Sequence, residues 1–231
     1  MIKLPPRLQA IADLIPAGSK VADIGTDHGY IPVWLVENGI SEYVTAADIN
    51  KGPLDHARMT AAEYGVSEKI NFELCSGLEF SAAPVHDTVI VAGMGGELIL
   101  SILEKAPWTA ENCTLILQPN SRIQVLVAWL QERGYAIGNA RLVKDAGKLY
   151  QILVVSGGEE VTAEREADRL IHPCYFARKD PLLADYLDEL ISRYESAERG
   201  MLSGKRESPE LAKTRALLCD LRSMRQDVSK W

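Results

Sequence analysis

The first 155 residues alternate short apolar runs with longer segments of helical period, and that alternation constrains the fold more than any other feature. Candidate strands fall at 20–24, 43–48, 70–74, 88–92, 114–118, 135–143 and 149–155. Helical patterns lie between the early ones, at 32–38, 53–64, 96–105 and 121–133. Strand–helix alternation predicts a parallel sheet covered by helices on both faces. The last two strands are joined only by Lys144-Asp145-Ala146-Gly147-Lys148, too short for a crossover helix, so they must form an antiparallel hairpin. A dehydrogenase-type sheet more often continues with another crossover.

Beyond Ser156-Gly157-Gly158 the character changes. Residues 163–231 hold almost no β-branched runs. Apolar residues recur at helical spacing in Leu182, Leu183, Tyr186, Leu187, Leu190, Ile191 and Tyr194, and again in Leu211, Leu217, Leu218 and Leu221. The interruption at 200–209, with Gly204 and Pro209, predicts a turn between two antiparallel helices. The expected organisation is a Rossmann-like α/β domain over 1–158 and a small all-α helical hairpin over 159–231.

The formal net charge of −7 normally counts against nucleic-acid binding. It is unevenly spread: residues 1–163 carry 12 Lys+Arg against 19 Asp+Glu, while residues 164–231 carry 13 of each. At the end of the tail, Lys205, Arg206, Lys213, Arg215, Arg222, Arg225 and Lys230 outnumber Glu207, Glu210, Asp220 and Asp227. That is either a modest basic patch or a solvated helix face with ordinary ion pairs. No run of 18 apolar residues occurs, and Met1-Ile2-Lys3-Leu4-Pro5-Pro6 does not open a signal peptide, so no membrane association is expected. Cys75, Cys113, Cys174 and Cys219 are scattered without C-x-x-C spacing. A reducing cytoplasm fits them, and neither a disulfide framework nor a bound metal is expected.

The chemistry gathers at strand ends. Asp23-Ile24-Gly25-Thr26-Asp27-His28-Gly29 leaves the first strand and opens a helix, where glycine permits a tight turn and free N–H groups face a ligand. It fails both the dinucleotide pattern G-x-G-x-x-G and the phosphate-loop pattern. It fits the class I methyltransferase arrangement D-x-G-x-G-x-G, with Asp27 in place of the second glycine. Asp48 ends the second strand 19 residues after Gly29, where a carboxylate either accepts ribose hydroxyls or caps its own turn. Ser76-Gly77 follows the third strand, at the place of an adenine ring. Ala92-Gly93-Met94-Gly95-Gly96 follows the fourth, where three glycines imply close backbone approach to a ligand.

Together with Tyr30-Ile31-Pro32, Ile49-Asn50-Lys51-Gly52-Pro53 and Gln118-Pro119-Asn120, these residues resemble the bacterial tRNA (adenine-22-N1)-methyltransferase family. The resemblance spans most of residues 1–155 and extends more loosely into the tail. It implies a class I enzyme that uses S-adenosylmethionine to methylate N1 of an adenine in the D-arm region of tRNA. It further implies a helical, coiled-coil-like domain that helps to hold the tRNA. One departure is that the family often has Gly-Asp-Gly-Leu where this chain has Cys75-Ser76-Gly77-Leu78, without the carboxylate. On this reading Asp23, Gly25, Thr26, His28, Gly29, Asp48, Ile49, Ser76, Gly77, Ala92, Gly93 and Met94 hold the cofactor. Arg7, Tyr30, Gly95, Gly96, Gln118, Pro119 and Asn120 meet the substrate.

Adenine N1 carries a lone pair and attacks a sulfonium methyl without prior deprotonation. The product is cationic, so a nearby carboxylate stabilises it or takes the proton lost from the exocyclic amine. Asp27 is the candidate, its rival role being a helix N-cap. His28 is either a cofactor or substrate contact or a partly buried structural histidine, and Tyr30 either lines the pocket or packs in the core. Asn120 either meets the base edge or caps the helix after it. The tetrad N-P-P-[YF] or D-P-P-Y, usual in enzymes that methylate the exocyclic amine, is absent. Two other classes fit the chain less fully: a small-molecule methyltransferase with the tail as lid or dimer contact, and a non-catalytic cofactor-binding module. A monomer is favoured.

Overall fold

Parallel strands reached by crossover helices are covered on both faces, and the central strands here are: every residue of β1 (Val21–Ile24) and β2 (Val44–Asp48) is buried. The computed structural model describes residues 1–81, 85–158, 165–203 and 208–231. The chain divides into two compact units, Met1–Val161 and Thr162–Trp231.

In the first unit α1 (Pro6–Ala12) precedes β1, followed by α2 (Tyr30–Glu37), β2, α3 (Lys51–Glu63), β3 (Ile70–Leu74), β4 (Thr88–Gly95) and α4 (Gly96–Glu104). Then come β5 (Thr114–Ser121), α5 (Ile123–Glu132), β6 (Tyr135–Asp145) and β7 (Lys148–Gly157). The seven strands run in the order β3-β2-β1-β4-β5-β7-β6. The first five are parallel, and β7 is antiparallel to both β5 and β6. The mixed sheet expected from the alternation is therefore the sheet observed. Its chain direction turns back between β1 and β4, which leaves a crevice beyond their C-terminal ends, the usual ligand position in open α/β sheets.

Some boundaries differ from the sequence reading, each for a local reason. The fourth and fifth strands extend to Gly95 and Ser121. They carry the A-G-M-G-G and Q-P-N segments on the sheet rather than after it, through register shifts around Met94 opposite Pro119. Proline supplies no ladder N–H, so an irregular pairing is the form that admits it. The hairpin tip is a two-residue turn, Ala146 at φ 46° and Gly147 at φ 79°. Helix α1 has no counterpart in the sequence reading: Pro6 at its first position suits a helix start, and seven residues are too few for a period to show.

The second unit contains α6 (Glu166–Leu170), α7 (Cys174–Ala177), α8 (Leu183–Ser203) and α9 (Pro209–Val228). Helix α8 runs through Gly200, so the expected turn at 200–209 begins later than the glycine, and residues 204–207 lie outside the described residues. Ser208 caps α9, its hydroxyl accepting from Leu211 N–H at 3.1 Å. Leu187 and Leu190 of α8 and Leu211, Leu218 and Leu221 of α9 are buried. Ion pairs Asp188–Arg225, Glu195–Arg222 and Glu198–Arg215 link the two helices.

Candidate active site

The turn after β1 is built by backbone conformations that few residues accept. Gly25, Asp27 and Gly29 have φ of 72°, 51° and 69°. A Cβ on Gly25 would meet only the flexible tip of Met94, so it is the positive φ of this residue that calls for glycine. A Cβ on Gly29 would lie 2.9 Å from Ala57 Cβ, so the same turn presses directly onto α3. Aspartate tolerates the left-handed region better than most residues, which explains its place at position 27.

A cavity of about 490 Å³ opens here. It is lined by Asp23, Gly25, Thr26, Asp27, His28 and Tyr30 of the turn, by Ala92, Gly93 and Met94 of β4, and by Arg7 of α1. Ten expected site residues thus share one cavity. Pro5, Leu8, Ile31 and Asp145 complete it and were missed by the sequence reading. Hydrophobic and turn residues carry no chemical signature, and Asp145 stands far along the chain at the hairpin tip. Asp48, Ile49, Ser76 and Gly77 lie outside this cavity, at the ends of β2 and β3. There Ile49 is 65% exposed and offers an open apolar face.

Asp23 is buried, and its carboxyl is pushed up to about 6, chiefly by burial and also by the Asp48 charge. The Thr26 hydroxyl donates to Asp23 Oδ2 at 2.8 Å and works in the opposite direction. A buried carboxylate this poorly compensated favours a cationic ligand. Asp48 accepts the Asn50 N–H at Oδ1, 2.8 Å, so it does cap its own turn, and no hydrogen bond engages its Oδ2 among the described residues.

Several readings change at atomic level. Gly29, not Asp27, is the N-cap of α2, and no side chain caps that helix. The Asp27 carboxylate is two-thirds exposed, with Oδ2 3.8 Å from His28 Nε2. His28 is exposed as well, stacked on Tyr30 at 5.2 Å and on His56 at 5.1 Å, so it is not a buried structural histidine. Tyr30 is partly exposed at the cavity and does not pack in the core.

Gln118 is fully buried and cannot meet a substrate base. Instead it relays. Arg7 Nη1 donates to Gln118 Oε1 at 2.7 Å, Gln118 Nε2 donates to Asn120 Oδ1 at 3.0 Å, and Asn120 Nδ2 donates to Gly93 O at 2.7 Å. Guanidinium can only donate, so Arg7 fixes the orientation of both amides. Asn120 therefore ties the end of β5 to the end of β4 and is not the cap of α5, whose N-cap is Arg122. It is exposed, so the one amide of this relay that reaches solvent is its own. Pro119 is buried beside it. Gly96 is buried with its α-carbon against the Ser121 and Arg122 carbonyls, and the close approach there is to the protein's own backbone. Gly95 faces Ser121 Oγ, and Gly77 packs on Ile102.

Residues 4–153 match the family described as a methyltransferase domain. A curated tRNA (adenine(22)-N(1))-methyltransferase of Bacillus subtilis is 36% identical over 164 residues, covering 70% of this chain and 68% of that protein. The chain belongs to this methyltransferase family. Solved members superpose along its whole length. The B. subtilis tRNA methyltransferase TrmK is 27% identical, covers 100% of this chain and 99% of its own, and gives a TM-score of 0.80. TrmK of M. capricolum, determined with the cofactor product S-adenosyl-homocysteine, is 25% identical, covers 99% of each chain, and gives a TM-score of 0.81. The crevice between β1 and β4 and the exposed side chain of Ile49, next to the buried Asp48, both lie at the C-terminal ends of the parallel strands.

Proposed function

We infer that this enzyme transfers the methyl group of S-adenosylmethionine to N1 of adenine 22 in tRNA. The observation that carries the reading is the cavity at the switch point of the sheet. The glycine-rich turn, the A-G-M segment and Arg7 meet there in a chain whose family methylates that atom. Family membership favours tRNA over a small-molecule acceptor.

Asp23, Gly25, Thr26, Gly29, Ala92, Gly93 and Met94 hold the methionine half of the cofactor, where the buried Asp23 carboxyl answers its positive charge. Asp48 accepts the ribose hydroxyls through Oδ2, while Ile49, Ser76 and Gly77 border the adenine. The substrate base, drawn out of its stack at a cost of a few kcal/mol, enters beside Tyr30 and Asn120. The Asn120 Oδ1 keeps a second lone pair after accepting from Gln118, and a lone pair suits the N6–H of adenine. The N1 lone pair then forms the new N–CH3 bond as the S–CH3 bond breaks, and the sulfonium leaves as a neutral thioether. Positive charge passes to the purine, where the Asp27 carboxylate stabilises it. The helical unit, over 159–231, assists in holding the tRNA, and cytoplasm, where tRNA is processed, is the assigned compartment.

Methyl transfer from labelled cofactor to unmodified bulk tRNA, followed by nucleoside analysis, tests the reading. Labelled 1-methyladenosine is expected, and label in no nucleoside overturns it. Asp27→Ala should lower kcat by about 10²- to 10⁴-fold with cofactor affinity little changed. An unaltered kcat removes Asp27 from the mechanism.

A further inference from the structure

Asp27 and His28 are neighbours in sequence, and in extended chain their side chains would point to opposite sides. The left-handed Asp27 (φ 51°) turns the backbone so that both project together, Asp27 Oδ2 lying 3.8 Å from His28 Nε2. Gly29 then lets the turn press onto α3 at Ala57, and this brings His56 beside His28, the rings 5.1 Å apart and within 6° of parallel. One donor atom from each of Asp27, His28 and His56 lies within 4.8 Å of the other two, and all three residues are exposed.

We propose that Asp27, His28 and His56 form a binding site for a divalent transition-metal ion such as Zn²⁺ at the rim of the cavity. Two nitrogen donors and one carboxylate are a borderline set, suited to zinc, cobalt or nickel rather than to magnesium or calcium. Donor atoms around one tetrahedral zinc stand roughly 3.3 Å apart, given Zn–N and Zn–O bonds of about 2.0–2.2 Å. The Asp27–His28 pair is already within half an ångström of that span, and the exposed His28 and His56 rings must turn out of their parallel stack for both in-plane lone pairs to meet one ion. Solvent supplies the fourth ligand and the entry path. The first unit carries an excess of negative charge, 19 acidic against 12 basic residues over 1–163, which favours cations over anions at its surface. A bound ion would occupy the Asp27 carboxylate, so zinc is expected to inhibit methyl transfer. That consequence rests on the proposed function, whereas the binding itself does not.

Calorimetric titration of the full-length protein with ZnCl2 and with CoCl2 provides the test, alongside His56→Ala, a change on an exposed helix face outside the cavity lining. One zinc per chain is expected, and His56→Ala should weaken it by roughly tenfold or more, since even groups that only support a ligand cost 10- to 100-fold. Cobalt should give the ring protons of its own ligands, His28 and His56, large contact shifts in NMR spectra. Magnesium should do neither. Equal zinc affinity in the two proteins, or cobalt shifts that spare His56, would overturn the site. In the activity assay, zinc inhibition reversed by EDTA and lost in His56→Ala, with basal turnover kept, supports both site and mechanism. Zinc binding that depends on His56 but leaves turnover unaffected upholds the site and counts against Asp27 as the catalytic group.

Discussion

Asp23 is an acid placed where its charge is poorly solvated, and its cost can be read out in pH. Its carboxyl titrates near 6 in the fold against 3.8 in the unfolded chain, chiefly because of burial. Between those values the folded protein keeps a proton that the unfolded chain releases, so stability falls as pH rises through this window. The penalty is complete above about pH 6 and amounts to about 3 kcal/mol at roughly 1.4 kcal/mol per pH unit. Asp23→Asn should therefore raise the melting temperature of the cofactor-free protein at pH 8 and have little effect at pH 4. The same substitution should weaken S-adenosylmethionine binding at pH 8 and flatten its rise between pH 5 and 7. Equal melting shifts at both pH values would refute this account. Asp23 and the rest of the turn are legible in the sequence because their chemistry is written in consecutive residues. The orientation of Asn120 is not, since it depends on Arg7, 113 positions away and reached only through the fold.

At the scale of elements, the strand core is legible because buried parallel strands carry apolar runs such as Val89-Ile90-Val91 and Leu115-Ile116-Leu117, and even the edge strand β3, whose Ile-Asn-Phe-Glu-Leu alternates, has the very bounds that the sequence predicts. The ends of β4 and β5 are not, because Gly93 and Pro119 read as strand breakers while neighbouring strands hold them in irregular pairing. The β6–β7 hairpin is legible as a hairpin, but its turn contradicts local preference. Type I′ turns need positive φ at both central residues and favour Asn-Gly, whereas this one has Ala146 at φ 46° before Gly147. A left-handed alanine costs about 1 kcal/mol. Ala146→Asn is expected to recover about that much, seen as a higher urea midpoint at unchanged m-value. Because Asp145 lines the cavity, stiffening this turn is also a way to ask whether the hairpin tip moves during turnover. A midpoint that stays or falls would mean that the turn is not under strain.

For the molecule as a whole, charge decides how a protein of net −7 holds a polyanion. The basic residues of the tail suggest a grip, yet the structure engages most of the described ones. Arg215, Arg222 and Arg225 pair with Glu198, Glu195 and Asp188, and Lys230 pairs with Asp227. Lys205 and Arg206 lie outside the described residues, which leaves Lys213 exposed on α9. Exposed pairs of this kind add little stability, so their acids can be removed without unfolding the hairpin. The triple change Asp188→Asn, Glu195→Gln and Glu198→Gln releases three arginines onto one helical hairpin. If that unit touches tRNA, KM for tRNA should fall. The slope of log affinity against log salt should steepen by roughly two to three, close to 0.9 for each phosphate gained. KM for S-adenosylmethionine should stay where it is, because no cofactor residue changes. Unmoved tRNA affinity and slope would assign the grip to the first unit instead. Lys51, Lys144 and Lys148 are exposed there with no ion pair among the described residues, and the overall negative charge would then be overcome by phosphate contacts on the first unit alone.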